Sequence, residues 1–135
     1  MTFMTWTEKY STGIMQIDLE HKRLVALVNE LYDAMSQGKG DAALGKVLDG
    51  LAAYCRTHFL TEERLFQQHG YPDFSEHKGI HDRLTAKVTS MLRDFRVGKG
   101  QSTIQTVNFL KDWLNKHILE TDQKYAPFLR EKGVR

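Results

Sequence analysis

Apolar side chains recur along the chain in alternating steps of three and four, the spacing that keeps residues on one face of an α-helix. The first stretch carries His21, Leu24, Val28, Leu31 and Met35, and the second carries Leu44, Leu48, Leu51, Cys55, His58, Glu62 and Leu65. The third carries His77, His81, Leu84, Val88, Met91 and Phe95, and the fourth Val107, Leu110, Leu114 and His117. Breakers fall between these stretches at Gly38-Lys39-Gly40, Gly70-Tyr71-Pro72-Asp73 and Gly98-Lys99-Gly100, and Pro72 and Pro127 are the only prolines. The pattern predicts helices over about 18–37, 41–69, 75–97 and 102–126, with Asp18 and Asp41 as N-caps and the last helix starting at Ser102 or Thr103 and stopping before Pro127.

Loops of a few residues force neighbouring helices to run antiparallel, so the expected fold is all-α, an up-down-up-down four-helix bundle with an N-terminal arm. Residues 1–17 form the arm, anchored by burial of Trp6, Tyr10, Ile14 and Ile17. With 135 residues, 41% of them hydrophobic and 27% charged, the chain reads as one domain spanning 1–135. A net charge of +2 with scattered basic residues points to no nucleic-acid partner. No apolar run is long enough for membrane insertion and no leader is legible, so the expected compartment is the cytoplasm. A single cysteine, Cys55, permits no internal disulfide and sits on an apolar stripe as an inert buried thiol.

Histidine and glutamate occupy positions that the periodicity reserves for the core. A lone histidine there is ordinarily satisfied by a hydrogen bond, but five of the six histidines lie on inward stripes, and each would need its own buried partner. A shared metal site satisfies them together. In an antiparallel bundle His21, His58, Glu62, His77, His81 and His117 fall at one level, and the His58/Glu62 and His77/His81 pairs, four apart, each present two donors on one face. Five imidazoles exceed one tetrahedral zinc, carboxylates can bridge two ions, and a nitrogen and oxygen donor set suits iron better than structural zinc. The fourth helix is less regular. Asp122 lies five residues after His117, roughly 140° around a regular helix, and is either an exposed helix-end carboxylate or a donor brought inward by a π-type widened turn. His69 and Glu63 read as solvated surface groups.

Taken in order, Trp6, Gly13-Ile14, Asp18-Leu19-Glu20-His21, His58-Phe59-Leu60-Thr61-Glu62-Glu63, His77-Lys78-Gly79-Ile80-His81 and Trp113-Leu114-Asn115-Lys116-His117-Ile118, followed by Asp122 and Tyr125, resemble the bacterial hemerythrins over nearly the whole chain. The resemblance implies two bridged non-haem iron ions, one held by His77, His81 and His117 and the other by His21 and His58, with Glu62 and Asp122 bridging. It further implies reversible binding of dioxygen at the position left open on the two-histidine ion. By matching position, Leu24, Phe59, Trp113, Leu114 and Ile118 line the oxygen pocket, although ordinary core packing would bury them too.

The expected function is therefore oxygen carriage, storage or delivery to an oxygen-using enzyme, by a monomer that is not itself an enzyme. The alternatives are a di-iron redox enzyme (peroxide or nitric oxide reduction, ferrous-iron oxidation), for which no spare inward acid or base is legible, and an oxygen sensor, which would need an output domain. A ferritin-like site would require Glu-x-x-His pairs on two helices, and none is present.

Overall fold

A computed structural model describes residues 4–98 and 103–135. After a short 3₁₀ turn at Glu8–Tyr10, the chain forms α1 (Met15–Ser36), α2 (Gly40–His69), α3 (Phe74–Arg96) and α4 (Thr103–Lys116). A π turn (His117–Thr121) then leads directly into α5 (Asp122–Glu131), so that α4, the π turn and α5 make one continuous fourth rod. The rods close a four-helix bundle in which α1 packs on α2 and α4, and α2 on α3. No strand occurs among the described residues, and no helix among them is long and apolar enough to cross a membrane.

The boundaries depart from the sequence expectation by more than one residue only at the start of α1 and the end of the last rod. Asp18 does not cap α1, because Ile14 and Ile17 are drawn into the core and start the helix at Met15. The Asp18 carboxylate instead accepts hydrogen bonds from the Thr12 amide (2.8 Å), the Thr12 hydroxyl (2.8 Å) and the Ser11 hydroxyl (2.6 Å), tying the arm back onto the first helical turn. Gly13, at φ +77°, makes the bend, and a Cβ there would lie 2.9 Å from Arg130 Cδ. The third helix begins at Phe74, one residue before the expected Ser75.

The last helix does not stop before Pro127. It runs to Glu131, where Tyr125, Ala126 and Leu129 are fully buried. A proline inside a helix costs about 3 kcal/mol. Burying large side chains such as Tyr125 and Leu129 recovers about 1.5–3 kcal/mol each. Gly70, in the left-handed region at φ 69°, closes α2 where the sequence placed its end. Lys99 and Gly100, expected in the last break, Ser102, one of the two expected starts of the last helix, and the Asp41 side chain, expected as a cap, lie outside the described residues.

Two apolar bodies result. The larger contains Leu24, Val28, Leu31, Leu48, Leu51, Cys55, Leu84, Val88, Leu110 and Leu114; the smaller, toward the arm, contains Ile14, Ile17, Phe66, Tyr71, Tyr125, Ala126 and Leu129. In α2 the smaller body takes Phe66, at 0% exposure, while Leu65 is only partly buried against it. Along every rod the polar inward residues fall between the two bodies.

Candidate metal centre

His21 on α1, His58 and Glu62 on α2, His77 and His81 on α3, and His117 and Asp122 at the two edges of the π turn form that polar layer, and none exceeds 4% exposure. Glu62 stands in the middle. Its Oε1 lies 3.1 Å from His58 Nε2 and 3.2 Å from His81 Nε2, and its Oε2 lies 3.9 Å from His77 Nε2. Asp122 also reaches to both sides: Oδ1 is 3.2 Å from His77 Nε2 and 3.0 Å from His117 Nε2, while Oδ2 is 2.8 Å from His21 Nε2. Two groups of four follow, Glu62 with His77, His81 and His117, and Glu62 with His21, His58 and Asp122. Within each group the donor atoms lie within 4.8 Å of one another.

The π turn is what brings Asp122 into this layer. A regular helix would turn residue 121 inward, but here the Asp122 amide donates to the His117 carbonyl, a five-residue span that aligns the two side chains. Asp122 is fully buried, whereas Thr121 is half-buried at the rim.

The close nitrogen–oxygen approaches at the centre are not hydrogen bonds. Eleven buried nitrogen and oxygen atoms of these seven residues have no hydrogen-bond partner, among them both oxygens of Glu62 and of Asp122 and Nε2 of all five histidines. Nine of them, the five Nε2 and the four carboxylate oxygens, face one another across the layer. Orphaned buried polar atoms cost about 1–3 kcal/mol each. A folded protein tolerates so many together where cations complete them, and imidazole with carboxylate donors suits such cations.

The electrostatics agree. Burial opposes charge on His58, yet the Glu62 carboxylate and the bond to Glu20 prevail and push it up to about 10. Burial likewise favours the neutral acid at Glu62 and Asp122, but the surrounding imidazoles hold both well below the usual carboxylate range. The layer is thus built around negative carboxylates that attract positive charge.

Three contributing residues escaped the sequence reading. Glu20 is 7% exposed, and its Oε1 lies 2.6 Å from His58 Nδ1, with its other oxygen accepting from Gln16 (2.6 Å) and Thr61 (3.2 Å). Glu63, expected in solvent, has a side chain 15% exposed and an oxygen 2.9 Å from His81 Nδ1. Both adjoin a stripe position, so the α-helical period assigned them outward; only the doublets Glu20-His21 and Glu62-Glu63 could have signalled them. Tyr125 is fully buried with its hydroxyl unpartnered, and burial beside Glu62 and Asp122 raises its pKa well above 10. It can only donate. His69 is half-buried at the end of α2, away from the layer.

Aromatic rings wall the layer on the side of the larger apolar body. Phe59 stacks on His81 at 3.8 Å between centroids and 5° between planes, and Trp113 stacks on His117 at 4.4 Å and 15°. Leu24, Trp113 and Leu114 line a cavity of about 20 Å³ with Cys55, Val28 and other apolar residues, while Phe59 and Ile118, both buried, stand outside its lining. Its walls are apolar apart from the Cys55 thiol, which burial pushes up to about 12 and so keeps neutral.

Comparison with known proteins matches this arrangement. The family model for the hemerythrin HHE cation binding domain matches residues 12–129. A protein named bacteriohemerythrin from Methylococcus capsulatus Bath is 36% identical over 96% of this chain and 98% of its own length, and a bacteriohemerythrin of Pseudomonas aeruginosa is 35% identical over 96% of this chain and 84% of its own. Crystal structures of a wild-type hemerythrin (TM-score 0.86, 36% identity, 94% of this chain and 98% of that one) and of a hemerythrin point mutant (TM-score 0.88, 35% identity, 96% and 98%) superpose on it. With the family model spanning the bundle from the arm to α5, and relatives matched end to end, the chain belongs to the hemerythrin family.

Proposed function

We propose that the chain holds two iron ions in this layer and binds dioxygen there reversibly, as an oxygen carrier, store or delivery protein. His77, His81 and His117 would hold one ion and His21 and His58 the other, with Glu62 and Asp122 shared between them. The observation that carries the reading is the convergence of nine orphaned atoms, the five histidine Nε2 and the four oxygens of Glu62 and Asp122, in two groups that share Glu62, with Asp122 reaching both. The two groups differ in histidine number, three against two, so the ion with two histidines would have room for a further ligand.

Bound iron would supply the redox chemistry that holds dioxygen; the chain's own residues exclude water. Leu24, Phe59, Trp113, Leu114 and Ile118 serve as the oxygen pocket, because a dry apolar wall admits dioxygen while keeping solvent protons out. A cavity of about 20 Å³, lined by Leu24, Trp113 and Leu114 among them, has room for one small apolar molecule. Carriage is favoured over catalysis by the protonic groups available. Glu20 and Glu63 are engaged by histidine Nδ1 atoms, and Tyr125 stays protonated, so these three offer no free base to the layer. Metal analysis tests the metal assignment: the protein carries two irons per chain, and His58→Ala carries fewer and loses the oxygen-dependent optical change. A single iron, or zinc in its place, contradicts it.

A further inference from the structure

The two carboxylates outside the ligand set occupy related places. Glu20 precedes His21 in sequence but engages His58 on α2, and Glu63 follows Glu62 but engages His81 on α3. Each doublet thus offers one donor to the centre and one anchor to a histidine of the next helix. Each of the two groups contains one anchored imidazole.

We infer that Glu20 and Glu63 are positioning residues, one for each metal ion, which accept the Nδ1 protons of His58 and His81 and so aim the Nε2 lone pairs at the centre. A histidine with Nδ1 donated to a carboxylate has its tautomer and ring orientation fixed and becomes a more basic ligand, so it favours the more highly charged state of its ion. The two anchors differ in setting. Glu20 is sealed by Gln16 and Thr61, whereas Glu63 opens onto a groove of about 340 Å³ flanked by Arg56, Leu60, Lys78 and Asp82. Mobile ions screen a charge that faces solvent and hardly affect a buried one. Glu20 is therefore the stronger anchor, and the contribution of Glu63 depends on salt.

The inference rests on the two-ion reading, and cobalt(II) titration of the chelator-stripped full chain separates the two. Wild-type protein taking up fewer than two cobalt ions contradicts the parent reading. Given two, Glu20→Gln, which keeps an acceptor but removes the charge, is expected to weaken cobalt binding by roughly 10–100-fold. Glu63→Gln weakens it less, by an amount that shrinks as salt is raised, and both variants raise the reduction potential of the iron-loaded protein. Wild-type affinity and potential in both variants, or a larger and salt-independent loss in Glu63→Gln, overturns the inference. Should the variants fail to fold, proton NMR of cobalt-loaded wild-type protein decides: His58 and His81 carry their protons on Nδ1, that of His58 exchanging more slowly with solvent. A proton on Nε2 of either ring contradicts the assignment.

Discussion

Seven ionisable side chains sealed from water can take up protons or metal ions, and the two compete for the same lone pairs. A proton on His58 is held more tightly in the fold than in the unfolded chain, so its contribution to stability is whole below the ordinary imidazole pKa of about 6.5 and is lost as pH rises toward about 10. Glu62 and Asp122 are shifted the other way, and their contributions are whole above the ordinary carboxylate pKa of about 4 and are lost on acidification. Chelator-stripped protein should accordingly melt highest between about pH 4.5 and 6.5. The loaded protein should gain over it as pH rises and lose that advantage in acid, where protons displace the metal. Melting curves of both forms across pH test this, and a stripped protein that melts higher at pH 9.5 than at pH 6 contradicts it. At Cys55 the neutral thiol resists ionisation up to about 12, so a thiol reagent should modify it at least tenfold more slowly in folded than in denatured protein, as absorbance at neutral pH will show.

At the scale of elements, the π turn is the departure from regular geometry on which the centre depends. Repetition in steps of three and four placed His21, His58, Glu62, His77, His81 and His117 inward, because a regular helix repeats every 3.6 residues. The same repetition could not place Asp122, which required either the family pattern or the widened turn that the structure contains. It also hid Glu20 and Glu63, whose neighbours on the stripe are ligand candidates, since contacts between helices depend on register and not on period. Proline misled for a related reason: local preference ends a helix before Pro127, and the buried face of Tyr125, Ala126 and Leu129 overrides it. A transposition tests the turn. Moving the carboxylate to the α-helical position, with Thr121→Asp and Asp122→Asn together, should leave at least one metal ion lost per chain, because residue 121 sits at the rim beside Lys124. Full metal content in that double variant would show that the widened turn is not what delivers the carboxylate.

For the whole molecule, the polar layer divides the bundle into two apolar bodies, and under the two-ion proposal metal joins what the layer would otherwise separate. Ligands that bind only the folded state stabilise it by about 4 kcal/mol at a thousandfold excess over Kd. Removing metal should therefore lower the melting temperature by roughly 10 °C, which calorimetry with and without chelator will read; equal melting temperatures contradict a structural share for the centre. The arm belongs to the same assembly. Asp18 ties Ser11 and Thr12 to α1, Gln123 donates to the Ser11 carbonyl at 3.2 Å, and Arg130 donates to the Thr12 carbonyl, so the smaller body closes over the layer from the arm's side. A layer closed on both sides by apolar residues suits an oxygen complex that must release its oxygen unchanged. The most direct measurement is the optical spectrum of anaerobic, fully reduced, iron-loaded protein taken through repeated cycles of air and deoxygenation. The account predicts a new absorption band in air that disappears each time oxygen is removed, with the reduced spectrum recovered. A spectrum that changes once and stays oxidised would contradict reversible oxygen binding.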